Sequence, residues 1–307
     1  IKRAQQSVSG KVLFIAALVL LLLIPMSMIK GVVSERVHLS RSARADIASA
    51  SGNAQTIGGP IFVMPYRYTR LVNGVAVTAQ DELYVLPEAL RFEGTVRTEI
   101  RYRGIYEVPV YTAELSISGV LPPPVFGIDY PDREILWEDA HIALPLSDAR
   151  PIKQAVRLTL GDQSADFEPG GTPVAGFGQK LSVPYAAFGL ESFDEAQAFS
   201  FDLTLGGTGE LKFLPLGDTT DVTLNSPWPS PGFIGAYLPE TREIAESGFS
   251  ATWHMLDLGR GYPSSWQRSR FVPETISRSA FGSISLCLSA STRRVHAQRN
   301  TPCCSSG

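Results

Sequence analysis

From Val12 to Ile29 the chain runs VLFIAALVLLLLIPMSMI, eighteen residues without a charge, bracketed by Lys11 and Lys30. At ~1.5 Å rise per residue an α-helix of that length covers roughly 27 Å, against a bilayer hydrocarbon core of about 30 Å. The pattern predicts a transmembrane helix over residues 11–30, since a helix apolar on all sides needs apolar surroundings on all sides. Lys2, Arg3 and Lys11 also fit the basic start of a secretory signal. Against cleavage, the exit SMIKGVVSERV offers no Ala-x-Ala-like site, and Ala48-Ser49-Ala50 lies too far downstream. An uncleaved anchor is therefore expected.

Beyond the anchor, GVVSERVHLSRSARADIASAS has no proline and stops at Gly52. It predicts a helical stalk within residues 31–56, ending near Ser51. The period then changes from helical to alternating. In VRTEIRYRGIYEVPVYTAELSISG, Val96, Ile100 and Tyr102 share one parity and Leu115, Ile117 and Gly119 another, which predicts two long strands around Gly104. Further strands are expected at Val156, Leu158 and Leu160, at Phe199, Phe201, Leu203 and Leu205, and at Leu211 and Phe213. GGTG between the last two, and Asn73-Gly74, read as hairpin turns. LPPPVFG at 121–127 and SPWPSPGF at 226–233 read as loops at the sheet ends. Many short strands without strand-helix alternation predict a mainly β, antiparallel sandwich-like domain over residues 57–282, preceded by the one N-terminal transmembrane helix.

Composition adds compartment rather than chemistry. With 27 Lys and Arg against 30 Asp and Glu, net charge is −3 over 307 residues, which excludes the electrostatic footprint of a nucleic-acid binder. Basic residues flank the span almost equally, with Lys2, Arg3 and Lys11 before it and Lys30, Arg36, Arg41 and Arg44 after it. Long polar domains cross regardless of flanking charge, and a body without cysteine before Cys287 suits a compartment that oxidises thiols. Residues 1–10 are thus expected in the cytoplasm and the body outside it, with the lipid bilayer as the first partner.

Tests for chemistry return little. His38, His141, His254 and His296 lie far apart, with no metal-ligand spacing among them. GGTGEL at 206–211 and GGTPVAGFG at 170–178 neither open a helix nor end in Lys-Ser/Thr, so no phosphate cradle is expected. Gly-x-Ser-x-Gly is absent. Asp218 and Asp221 in GDTTD resemble half a calcium site, but turn aspartates are the simpler reading. Asp218, Asp221 and His254 could also assemble a hydrolase site. Trp228, Trp253 and Trp266, with Tyr237 and Tyr262, could stack on a glycan such as peptidoglycan, although core packing is the commoner fate. No catalytic, cofactor or metal residue is assigned, and no cofactor is expected.

Several uncommon strings occur in one order: QTIGGPIFVMPY, RGIYEVPVYTAEL, LKFLPLGDTTDVTLNSPWPSPGFIGAYLP, GFSATWHMLDLGRGYPSSW and RSAFG. Over roughly residues 8–282 the chain resembles the CreD family of bacterial inner membrane proteins. The resemblance implies a non-enzymatic cell envelope integrity protein of Gram-negative bacteria, linked to a two-component stress system, colicin tolerance and β-lactam responses. It implies a periplasmic β domain, periplasmic or inner-membrane protein partners, and several C-terminal membrane helices.

At the C-terminal end the chain departs from that pattern, running SISLCLSASTRRVHAQRNTPCCSSG after Gly282, with Cys287, Cys303 and Cys304 as its only thiols. These lie too near the end to staple the body. Reading Asn300–Gly307 from the last base of the preceding codon, with TCN serines and favourable third bases, yields Tyr-Ala-Val-Leu-Phe-Ile-Gly. Residues 283–307 are accordingly expected to be a disordered, out-of-frame tail with accidental thiols.

Overall fold

A computed structural model describes residues 8–127, 130, 132–170, 179–190, 192–260, 262–269 and 283–288. Among the described residues one α-helix, α1 (Val8–Ser51), precedes nineteen strands. They are β1 (Gln55–Ile57), β2 (Ile61–Val72), β3 (Val75–Val85), β4 (Ala89–Arg103), β5 (Tyr106–Leu121), β6 (Glu134–Ile135) and β7 (His141–Leu146). Then come β8 (Arg157–Leu160), β9 (Gln163–Asp166), β10 (Glu168–Pro169), β11 (Gln179–Pro184), β12 (Gln197–Thr208) and β13 (Glu210–Phe213). The last are β14 (Thr219–Ser226), β15 (Pro231–Gly235), β16 (Thr241–Ala245), β17 (Gly248–Leu256), β18 (Ser265–Gln267) and β19 (Ile284–Leu288).

These strands form two sheets. The first runs β15-β19-β13-β1-β7-β2-β3-β18, with β6 beside β2 and β10-β11 reaching β7; the second runs β16-β17-β14-β4-β5-β12-β8-β9. They share one apolar core, in which Phe92 of β4 meets Phe213 of β13 at 5.1 Å and Trp253 of β17 meets Phe233 of β15 at 5.5 Å. The expected fold class holds: mainly β, sandwich-like, with one apolar N-terminal helix. Two pairs, β1 with β13 and β4 with β14, are parallel, so the sheets are mixed rather than antiparallel throughout.

Local predictions divide along the line between neighbouring and distant pairing. Asn73 and Gly74, at φ 52° and 82°, turn β2 into β3 with Val72 opposite Val75. Gly104 and Ile105 turn β4 into β5 with Arg103 opposite Tyr106. GGTG does not make a hairpin: β12 pairs with β5 and β8 in the second sheet, whereas β13 pairs with β1 and β19 in the first. The chain changes sheets there. Pro231–Phe233, expected in a loop, lie in β15, an edge strand where a missing N–H costs no ladder bond.

The boundary expected at residue 282 is displaced. Ile284–Leu288 form β19, buried along its whole length between β13 and β15. Ile284, Leu286 and Leu288 alternate with Ser285 and Cys287, and all five are buried because the strand is covered on both faces. Cys287, buried in this strand, is disulfide-bonded. Residues 289–307, the remainder of the expected tail, lie outside the described residues, as do His296 and most of GGTPVAGFG.

Candidate functional site

Three places carry chemistry: the junction of helix and sandwich, a cleft on the first sheet, and the acidic pair of GDTTD. At the junction α1 is continuous from the apolar stretch to Ser51, and Gly52 ends it, at φ 96° with its N–H donating to the Ala48 carbonyl at 2.9 Å. A side chain at Gly52 would meet the Pro151 ring at 2.8 Å as well as a strained φ. Ala43 and Ala48 are buried, and Ser40, Ile47 and Ser51 half-buried, a stripe of three- and four-residue spacing. It packs on the outer face of the second sheet, where it covers Val108 and Val110 of β5, both buried apart from the main core. Arg103 pairs with Asp46 at 3.4 Å, and the Tyr106 hydroxyl donates to the Arg36 carbonyl at 3.4 Å. The apolar window of α1 itself is wholly uncovered by the sandwich.

The cleft, about 780 Å³, is lined by residues including Pro65, Glu82, Asp139, His141 and Arg268. Register explains the grouping, since Val63 stands opposite both Tyr84 and His141, and Pro65 opposite Glu82. Glu82 accepts from the Tyr84 hydroxyl at 2.5 Å and from the Arg268 guanidinium at 3.1 Å. Burial first, and the hydrogen bond to Glu82 second, raise the Tyr84 phenol well above its ordinary pKa. Asp81, almost wholly buried, accepts from the Ser269 amide at 3.1 Å and from the Ser269 hydroxyl. Burial and the Asp81 charge likewise raise Tyr66. His141 Nδ1 lies 3.0 Å from the Asp139 carbonyl, which can only accept, so Nδ1 is the donor there. His141 Nε2 is buried without a hydrogen-bond partner among the described residues. Among the described residues no three His, Cys, Asp or Glu side chains group as metal ligands.

Sequence reasoning passed over this cleft. Its signal was the charged pair Asp81-Glu82 within the strand AQDELYV, where the apolar alternation breaks.

The residues that sequence did single out fall into two unconnected networks. Asp218, just before β14, meets Arg260, whose side chain is 3% exposed. The Arg260 guanidinium also donates to the carbonyls of Leu216 and Gly217 at 2.7 and 2.8 Å and to Ser264 Oγ at 2.6 Å, and lies over the Tyr262 ring. Asp221, three residues on, points to the outer face of the second sheet. There it lies 2.7 Å from His254 Nδ1 and 4.0 Å from Arg91. The hydrogen bond and charge of Asp221 raise the pKa of His254, an exposed side chain. Asp221 and His254 thus come together and Asp218 does not join them, so the three-residue hydrolase constellation is not assembled.

The aromatic platform is not assembled either. Trp253 is 1% exposed in the core, Trp266 stacks on Tyr84 at 5.5 Å, and Tyr262 is buried with its hydroxyl donating to the Pro215 carbonyl. Trp228 and Tyr237 are half-buried against the core, with Trp228 Nε1 donating to the Ser230 carbonyl at 3.0 Å.

Among solved structures the chain is similar to an M1 zinc metallopeptidase from Deinococcus radiodurans, at 12% identity over 66% of this chain and 42% of that one, with a TM-score of 0.30. An E323A mutant of the same peptidase matches at 12% identity over the same shares, with a TM-score of 0.32. Likeness this slight carries no argument about fold or chemistry. Sequence comparison is far more specific. Inner membrane protein CreD of Escherichia coli strain K12 is 30% identical over 241 residues, 76% of this chain and 52% of that protein, so the chain spans about half its relative's length. The family described as inner membrane protein CreD matches residues 7–292, almost the whole of the body whose helix and sheets are set out above, and the chain belongs to that family.

Proposed function

We propose that the chain is held in the bacterial inner membrane by residues 11–30, with residues 1–10 in the cytoplasm and the β body in the periplasm. There it supports envelope integrity under stress through contacts with other proteins, without catalysis. The observation that carries this reading is α1. One unbroken element joins an apolar window that the sandwich leaves uncovered to a stalk stripe packed on the second sheet. A body tied this closely to the membrane helix acts where the membrane is.

One further feature favours binding over catalysis, the separation of Asp218 from the Asp221 and His254 pair; the packing of Trp253 into the core argues against a glycan as the ligand. The cleft of Glu82, Asp139 and His141 is a polar-lined recess open to a partner. The test is direct. In an alkaline wash the protein stays with the membrane, and protease added to spheroplasts digests the body while a tag at the N-terminus survives. Recovery in the soluble fraction, or a body protected in spheroplasts, overturns the topology. A deletion strain complemented as well by a Glu82→Gln, His141→Ala double variant as by the parent removes the cleft from the proposal.

A further inference from the structure

The β4–β5 hairpin outruns the core it belongs to. Val96 is the last residue of β4 in the shared apolar core, yet the ladder continues for seven more residues to Arg103. Parity would bury Ile100 and Tyr102, but they are 37% and 66% exposed, and Ile105 at the turn is 78% exposed. The other long hairpin, β2–β3, also bares its tip, with Leu71 at 76% and Val75 at 63%. Of the two tips, as far as the described residues go, it is the β4–β5 tip that is tied to the membrane helix. Ser51 and Val110 border the same small recess, Arg103 reaches Asp46, and Tyr106 reaches Arg36. The hairpin therefore climbs beside α1 toward the span.

Arg36 is seven residues past Ile29, about 10 Å of helix. The headgroup layer occupies roughly 5–8 Å beyond the hydrocarbon edge. A tilt of ~20° toward the hairpin lowers a tip lying about 10 Å off the helix axis by roughly 3 Å, which brings it to that layer. On the helix, this same level is apolar as well: Val32, Val33, Val37 and Leu39 are all about half exposed. Charge points the same way. Residues 30–46 and 97–107 together hold seven Lys and Arg against four Asp and Glu, within a chain of net charge −3.

We propose that the β4–β5 tip, through Tyr102 and Ile105, rests in the headgroup layer of the membrane that α1 crosses, and that anionic phospholipid favours the contact. A tyrosine and an aliphatic side chain beside arginines suit that layer, where amphipathic rings settle and basic residues meet phosphates. The sandwich would then hang from two points, a helix and a hairpin, which restricts its swing about the stalk.

The inference rests on the span lodging in lipid, so the experiment reports the span separately. Benzoylphenylalanine is placed in the full chain in place of Leu20, Leu71, Tyr102 or Ile105, in nanodiscs of phosphatidylcholine with or without phosphatidylglycerol, and adducts are identified by mass spectrometry after illumination. Lipid adducts are expected at positions 20, 102 and 105, at least fivefold above position 71, and more abundant at 102 and 105 with phosphatidylglycerol. Adducts at 20 without adducts at 102 and 105 overturn the hairpin contact alone, and adducts to protein alone at 105 overturn it in favour of a protein partner. Loss of adducts at position 20 overturns the membrane anchoring itself. Equal yields in both lipids overturn the preference for anionic headgroups.

Discussion

Asp218 and Asp221 stand three residues apart in GDTTD, and folding gives them opposite lives. Asp218 precedes β14 and closes a network around a guanidinium that water scarcely reaches, so its charge is met by Arg260 and the Ser264 hydroxyl. Asp221 lies within β14, where alternation sends Val222 into the core and Asp221 to the open face. Its partner His254 sits directly across the ladder. A short acidic motif therefore carries no fixed meaning, because phase within the strand decides whether a carboxylate braces the fold or decorates it.

Removing the cation tests the brace most severely. Arg260→Ala leaves the Asp218 carboxylate and the carbonyls of Leu216 and Gly217 without their shared donor. A cost of about 3 kcal/mol is expected, the low end for breaking a buried pair, because Asp218 keeps some access to water. Denaturant unfolding of the detergent-solubilised chain measures it. A loss below about 1 kcal/mol would show that the network is ornamental.

Asp218→Asn is milder, since the amide oxygen still accepts one bond while the charge is lost. About 2 kcal/mol is expected, in the range for hydrogen bonds to charged groups. The comparison sharpens if Asp221→Asn, the same change three residues away, moves the melting temperature by no more than about 2 °C, as exposed pairs generally do. Equal effects of the two substitutions would refute the distinction between brace and surface pair.

What the chain revealed in advance follows the same division. Alternation at Phe199, Phe201, Leu203 and Leu205 and the Asn73-Gly74 turn were legible because each depends on residues close in sequence. The parallel pairing of β4 with β14, the change of sheet at Gly209 and the strand at Ile284–Leu288 were not, since each is settled by partners far along the chain. The cleft was least legible. Glu82, Asp139, His141 and Arg268 come from four separate stretches, and only the register of β2 with β3 and β7 sets them side by side. Of the residues weighed for a hydrolase site, Asp221 and His254 do pair. The third member was lost because Asp218 falls before the strand begins.

The smallest effect expected is one of titration rather than stability. Asp221 donates no proton but accepts from His254 Nδ1, and its charge favours the imidazolium, with Glu240 adding slightly in the same sense. The folded pKa of His254 therefore lies above the ordinary 6.5. A raised folded value means that the pair contributes fully below the unfolded pKa, and that this contribution fades as pH rises through the folded one. The change belongs to the window just above pH 6.5, in the direction of lost stability with rising pH. Histidine ring resonances followed by NMR should place the His254 midpoint above 6.5. In Asp221→Asn the midpoint should return toward 6.5. A midpoint unmoved by that substitution would mean that the two side chains, though opposite one another in the ladder, do not hold each other in solution.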